Sequence, residues 1–149
     1  MFGIEAESSR SSSIHHEEFD AYEHLRLSLA EYGVYQSVVP SYLPKGYSFQ
    51  EISKGSTFEG TFIRCIMSNG DNEIILRYII SNTEQPSRYY AIDENAPEIY
   101  TTGGIEHYIM TNEGEYFVSW TSGNIVCDIS GLLNYDDVIL MIDSIYKGG

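Results

Sequence analysis

The sequence has little positive charge: 8 Lys and Arg side chains stand against 22 Asp and Glu, for a formal net charge of −14. Binding nucleic acid requires clustered Lys and Arg side chains that neutralise phosphates, and this chain offers no such cluster. The same deficit argues against electrostatic docking on anionic lipid headgroups. The acidic excess is typical of a soluble surface and leaves a cationic partner open. We therefore expect no nucleic acid partner.

Cysteine is also scarce. Only Cys65 and Cys127 are present, so the chain can form at most one intramolecular disulfide. Each lies in a predicted strand between apolar neighbours, where an unpaired cysteine behaves as a small buried hydrophobe. We expect two free, buried thiols, with a disulfide between them as the alternative and a reactive thiol as the least favoured outcome.

Long apolar runs are missing, since no stretch approaches the ~18 residues needed to cross a bilayer. The first residues, MFGIEAESSR, lack the basic and apolar regions of a signal peptide. Two interpretations stay open. The protein is cytoplasmic if Met1 is the true start, or the chain is a soluble fragment whose membrane anchor lies outside it.

One N-terminal grouping has the composition of a metal site. Residues 15–18 (HHEE) are followed by Asp20 and His24. A zinc-protease motif requires His-Glu-x-x-His, and the fifth position here is Asp20. We interpret the grouping as a solvated, acidic first helical turn and predict no metal.

Catalytic motifs are absent as well. The chain contains no Gly-x-Ser-x-Gly elbow and no Gly-rich phosphate loop. His107 follows Glu106 within a predicted strand, where an exposed histidine is the expected outcome and a general base the less favoured one. We predict that the chain is not an enzyme and uses no cofactor, with a site assembled from distant residues as the alternative.

Local patterns predict two helices and a set of strands between them. Hydrophobic residues make up 42% of the chain, enough for one domain with a core. Apolar residues at three- and four-residue steps predict a helix over about 16–32, ended by Gly33. Asn134 is expected to cap a closing helix with acidic residues in its first turn. Strands are predicted at about 47–53, 61–68, 73–81, 89–93, 105–112, 115–122 and 124–130.

Short turns at 69–72, 113–114 and 122–124 predict antiparallel pairing of consecutive strands. The predicted fold class is α+β: a curved antiparallel β-meander of six to seven strands, with N-terminal and C-terminal helices packed on one face. Residues 1–14 are expected to form a flexible polar leader and residues 15–149 a single domain. Residues 59–60 and 82–104 are expected to expose strand edges able to pair with a partner strand.

Trp120 is the only tryptophan and the leading candidate for a ligand or partner surface. Alternation along its strand puts Tyr116 and Trp120 on one face, and Tyr108 on the preceding strand completes the candidate surface. Core packing against a helix is the favoured interpretation of Trp120, with a ligand-binding aromatic as the alternative.

Three short motifs occur in a definite order. Residues 40–47 read PSYLPKGY, residues 99–106 read IYTTGGIE, and residues 119–124 (SWTSGN) precede 128–133 (DISGLL) and the closing helix. This order resembles an uncharacterised domain family of Gram-positive bacteria, the domain of unknown function numbered 4367, over roughly residues 38–147. The resemblance implies a domain on the outer side of a membrane helix in anti-sigma-factor-like proteins. The opening motif and closing helix are also loosely similar to periplasmic sigma-factor regulators with lipoprotein-carrier-like folds.

We therefore expect a non-catalytic extracytoplasmic sensory or interaction domain of a membrane-tethered, anti-sigma-like bacterial protein. Its partner would be another protein, and it would reach the membrane only through an anchor absent from this chain. The alternative is a carrier-type domain that binds a lipid or another small apolar ligand in a cavity under the curved sheet. A cavity above roughly 300 Å³ would favour the carrier.

Overall fold

The computed structural model describes residues 13–81 and 97–147, with side chains from Tyr22 onward in the first helix. Two helices and seven strands lie in these ranges: α1 Ser13–Ala30, β1 Ser48–Thr57, β2 Gly60–Ser68, β3 Glu73–Ser81, β4 Glu98–Thr102, β5 Ile105–Asn112, β6 Glu115–Ser122, β7 Ile125–Leu132 and α2 Tyr135–Lys147. The strand predicted at 89–93 lies outside the described residues. Neither described helix combines the length and apolar character needed to cross a membrane.

The strands form one open antiparallel sheet in the order β1-β2-β3-β7-β6-β5-β4. The α+β class and the antiparallel sheet are confirmed, whereas the curvature stays a prediction. The pairing of consecutive strands throughout is wrong at one place, because β3 pairs with β7 and not with β4. Short loops specify neighbours only within β1–β3 and within β4–β7. The longer link between Ser81 and Glu98 carries no such constraint, so two meanders lie side by side.

The edges of the described sheet are β1 and β4. Of the two predicted edges, the region 82–104 contains one, since β4 has a neighbour only on its β5 side. Residues 59–60 are not an edge, because Gly60 pairs with both Thr57 and Ser81. The sequence pattern had not assigned β4 as a strand, since threonines and glycines obscure its short alternation.

The ends of the helices follow their local signals. The N–H of Val34 donates to Leu29 O at 3.1 Å around Gly33, whose φ is 87°, so the predicted helix stop is confirmed. Asn134 Oδ1 accepts the N–H of Asp137 at 2.8 Å, so the predicted N-cap is also confirmed. Helix α2 then buries an apolar stripe made of Val138, Met141, Ile142 and Ile145.

A row of buried side chains crosses one face of the sheet. Ile63, Tyr78, Cys127 and Trp120 are successive cross-strand partners on β2, β3, β7 and β6. The Tyr78 hydroxyl donates to Val38 O at 2.8 Å, which ties the segment after α1 to this face. Both cysteines are buried and free, as expected. The core of the described domain therefore lies along this row.

Candidate functional site

The three residues predicted to form a surface do not come together. Trp120 is 1% exposed and its ring lies in the core, with the His107 ring centroid 5.0 Å away. Tyr116 shares that sheet face and is half-buried. Tyr108 is the cross-strand partner of Ser119, so it lies on the opposite face. The residues of the predicted surface therefore lie on opposite faces of the sheet.

His107 is fully buried, so the expectation of an exposed strand histidine is wrong. Its Nδ1 lies 3.1 Å from Tyr100 O and its Nε2 lies 2.7 Å from the Tyr146 hydroxyl. A neutral ring that donates through Nδ1–H and accepts at Nε2 satisfies both partners. Burial lowers the pKa of His107 below 6.5 and raises that of Tyr146. The burial of His107 was not predictable from the sequence because it depends on a long-range contact with α2.

Tyrosine hydroxyls bond carboxylates around α2. Tyr42 donates to Asp137 Oδ1 and Tyr100 donates to Asp143 Oδ1, each at 2.8 Å. Tyr135 donates to Glu98 Oε2 at 2.6 Å, and this hydrogen bond raises the pKa of Tyr135 to about 12. Such hydroxyls stay protonated at neutral pH and act as fixed donors. These hydrogen bonds hold α2 against neighbouring segments, so the hydroxyls and carboxylates in them have a structural role.

The thiols have no nucleophilic character in this environment. Burial raises the pKa of Cys65 to about 12, and burial likewise raises that of Cys127. The thiolate is the reactive form, so both cysteines are inert at neutral pH. Within the described residues, no three metal-ligating side chains gather in one place. The side chains of residues 15–18 and Asp20 lie outside the described part, so that grouping stays a prediction.

Ser144 joins α2 to the motif at residues 40–47. Its Oγ accepts the backbone N–H groups of Ser41 at 2.9 Å and Tyr42 at 3.1 Å, and donates to Met141 O at 2.8 Å. The Ser41 hydroxyl donates in return to Ser144 O at 3.1 Å. We call this set of bonds the Ser144 clamp.

A cleft of about 520 Å³ lies between the C-terminal half of α1 and the segment 34–41. We call it the α1 cleft; its lining residues are Glu23, Arg26, Leu27, Leu29, Ala30, Val34, Tyr35, Gln36, Ser37, Val38, Val39, Ser41 and Ile145. The deep wall is apolar and buried, whereas Leu27 and Tyr35 at the rim are 58% and 81% exposed. The carrier hypothesis placed its cavity under the sheet, where the buried row lies. The α1 cleft lies beside α1, and the carrier hypothesis stays a prediction.

Arg26 is the basic side chain of the α1 cleft. Its Nη1 lies 3.7 Å from Glu23 Oε1, and its Nη2 donates to Pro40 O at 3.5 Å. Both distances are long compared with the ~2.7–2.9 Å of a strong charge-assisted hydrogen bond. The sequence signal for this site was faint, because Leu27 falls off the apolar stripe of α1 and Tyr35 lies beyond the end of that helix.

A second concavity of about 510 Å³ lies at one end of the sheet, between the β2–β3 and β5–β6 turns. Its lining is polar and includes Asp71, Glu73, Glu113 and Glu115. The predicted turn at 69–72 is confirmed here, since Asn69 Oδ1 accepts the N–H groups of Asp71 and Asn72. Glu113 takes a φ of 55° in the other turn. These contacts are those of hairpin turns.

The chain belongs to the family described as Domain of unknown function (DUF4367), whose model matches residues 37–145. This confirms the resemblance drawn from the three motifs, whereas the extracytoplasmic, anti-sigma-like setting stays a prediction. No curated protein matches the chain. The matched region includes the seven described strands and most of α2, while α1 precedes it.

Proposed function

We propose that this chain is a non-catalytic extracytoplasmic sensory or interaction domain of a membrane-tethered, anti-sigma-like bacterial protein. The observation that carries the proposal is the α1 cleft, an opening of about 520 Å³ with both apolar and polar lining residues, in which Leu27 and Tyr35 are exposed. Concave apolar sites of about 300–1,000 Å³ are where proteins bind small ligands. The resemblance to domains outside a membrane helix supplies the setting.

The two walls of the α1 cleft suit a sensor because they are separate elements. One wall is α1, which follows directly on the N-terminal residues through which a tether would enter. The other wall is segment 34–41, held to β3 by the Tyr78 hydroxyl and to α2 by the Ser144 clamp. A ligand that contacts both walls would stabilise α1 against the rest of the domain. The tether would then report occupancy.

The titratable side chains also support a non-catalytic role. His107 and Tyr146 bond each other inside the core, and both cysteines have raised pKa values. Histidine, tyrosine and cysteine are among the residue types that act as general bases or nucleophiles. The His107–Tyr146 bond joins β5 to α2, and none of these four side chains lines the α1 cleft.

The extracytoplasmic setting is tested with the full-length product of the native gene. Phe58, in the β1–β2 turn, is 93% exposed, and the substitution Phe58→Cys adds one accessible thiol to two buried ones. We expect a membrane-impermeant maleimide to label F58C on intact cells, while the unsubstituted protein stays unlabelled. Labelling of F58C only after lysis would overturn the extracytoplasmic assignment.

The carrier-type alternative is favoured by one observation, the volume of the α1 cleft, which exceeds the roughly 300 Å³ expected for a small-ligand site. A carrier releases its ligand to an acceptor, whereas a sensor retains it and changes state. Transfer of a bound fluorescent fatty acid to acceptor vesicles separates the two. A transfer rate that rises with vesicle concentration supports a carrier, and a rate independent of vesicles supports a sensor.

A further inference from the structure

Arg26 is the one basic residue among the described residues that line the α1 cleft. Its guanidinium carries five N–H donors, and its contacts with Glu23 and Pro40 are both 3.5 Å or longer. The side chain is 38% exposed, so its donors are accessible from the cleft. A planar guanidinium matches a carboxylate or phosphate through two parallel hydrogen bonds. An anionic group beside Arg26 would form shorter bonds with its guanidinium than Glu23 and Pro40 form now.

The remaining wall of the cleft is suited to a hydrocarbon chain. Leu29, Val34, Val38 and Val39 are each at most 5% exposed and form the apolar part of a lining that also includes Gln36, Ser37 and Ser41. Ala30 adds little volume beside them, which leaves room between α1 and segment 34–41. Burying a methylene in such a place increases affinity by up to about fourfold. The cleft therefore joins an apolar wall to one cation.

We propose that the α1 cleft binds a single-chain amphipathic anion, with its hydrocarbon chain along the apolar wall and its carboxylate or phosphate head on Arg26. This inference rests on the proposed function, since it names the ligand class of the same cleft. The net charge of −14 repels anions at long range. Salt screens that repulsion beyond about 8 Å at physiological ionic strength, so the direct contact with Arg26 determines whether an anion binds.

Glu23 has a defined part in this arrangement. Its carboxylate lies 3.7 Å from Arg26 and occupies the position that the ligand head requires. The head displaces it, because Glu23 is 51% exposed and can turn into solvent. Replacing Glu23 by Gln therefore strengthens binding of an anion and leaves binding of a neutral chain unchanged.

The test uses the purified chain and isothermal titration with dodecanoate, dodecyl phosphate and dodecanol, each below its micelle concentration. We expect both anions to bind about tenfold or more tightly than the alcohol, as a hydrogen bond to a charged group allows. Arg26→Gln should remove that difference, and Glu23→Gln should increase it. Arg64→Gln, at an exposed arginine on β2 outside the cleft, should leave all three affinities unchanged.

A chain-length and volume test accompanies it. Decanoate should bind at most about fifteenfold more weakly than dodecanoate, by two lost methylenes. Ala30→Trp fills the cleft and should abolish binding of all three ligands. Leu140→Trp, at a residue on α2 that is 45% exposed, is the matched control. Far-UV circular dichroism establishes that both tryptophan variants are folded.

Three results would overturn the inference: equal affinity for dodecanol and dodecanoate, an unchanged preference in R26Q, or no binding of any ligand to the unsubstituted chain. None of these results affects the labelling of F58C on intact cells, which tests the proposed extracytoplasmic location separately. If dodecanoate and dodecyl phosphate differ, the tighter of the two identifies the head as a free carboxylate or as a phosphate.

Discussion

Ser41 and Ser144, 103 residues apart, bond each other twice. Ser144 Oγ accepts the Ser41 backbone N–H at 2.9 Å, and Ser144 O accepts the Ser41 hydroxyl at 3.1 Å. These residues lie near opposite ends of the region that the family model matches. The clamp closes the chain of the domain on itself and fixes one wall of the α1 cleft, because Ser41 lines that cleft.

Replacing Ser144 by Ala should destabilise the domain. The change leaves the N–H groups of Ser41 and Tyr42 without the Ser144 Oγ acceptor, which costs about 1–3 kcal/mol of the free energy of unfolding. Chemical denaturation measures the loss. Ser41→Ala is the matched control, since it removes a single hydroxyl bond worth about 0.5–1.5 kcal/mol. A smaller effect for S144A than for S41A would contradict the clamp.

Acidification should destabilise the domain through His107. Its folded-state pKa lies below 6.5 because it is buried, so the unfolded chain binds the proton first. The contribution of neutral His107 to the free energy of unfolding is fully present above about pH 6.5. It is lost as the pH falls from there toward the folded-state pKa, and over this window the free energy of unfolding changes by at most about 1.4 kcal/mol per pH unit. Unfolding free energies measured across this window check the prediction.

His107→Gln separates this effect from other titrations. The variant should be less stable overall but should show a flatter dependence of the unfolding free energy on pH around and below about 6.5. If H107Q and the unsubstituted chain share one slope, His107 does not titrate as its burial requires.

Gly103 and Gly104 offer a matched pair for the packing of Tyr146. Both have positive φ, at +61° and +79°, so alanine is strained at each. A Cβ on Gly103 would lie 2.5 Å from the Tyr146 ring, whereas a Cβ on Gly104 meets nothing within 4 Å. Gly103→Ala should therefore cost about 1–3 kcal/mol more than Gly104→Ala. Equal thermal stability of the two variants would show that Tyr146 moves aside freely.

The thiols should react only after unfolding. At its pKa of about 12, Cys65 is almost entirely protonated under neutral conditions, and both cysteines are inaccessible. A thiol-reactive chromophore should count two thiols in non-reducing denaturant and essentially none in buffer. A count of none in denaturant would establish a disulfide between Cys65 and Cys127 instead.

The features predicted well from sequence depend on neighbours a few residues away. Gly33 ends α1 and Asn134 caps α2 through bonds that span three to five residues, and the motif order indicated the family. The pairing of β3 with β7 was not predictable in this way. Ile80 and Ile125 are cross-strand partners because both meanders need a common core, and no local turn encodes that choice.

His107 and the α1 cleft show the same limit at the level of sites. The sequence placed His107 in a strand but did not reveal that Tyr146 of α2 covers it. The cleft arises where α1, segment 34–41 and Ile145 meet, and none of these segments carries a motif for it.

The sequence by itself determined the acidic balance that argues against nucleic acid, the two scarce cysteines, where α1 ends and α2 begins, and the family. Composition and local hydrogen bonding do not depend on the rest of the chain, so they can be predicted one segment at a time. Only the tertiary structure decided which strands are neighbours, that His107 is buried, and that Arg26 lines a cleft together with apolar residues. Burial and the volume of a cleft depend on which distant elements meet, and that follows from packing the whole domain around one core.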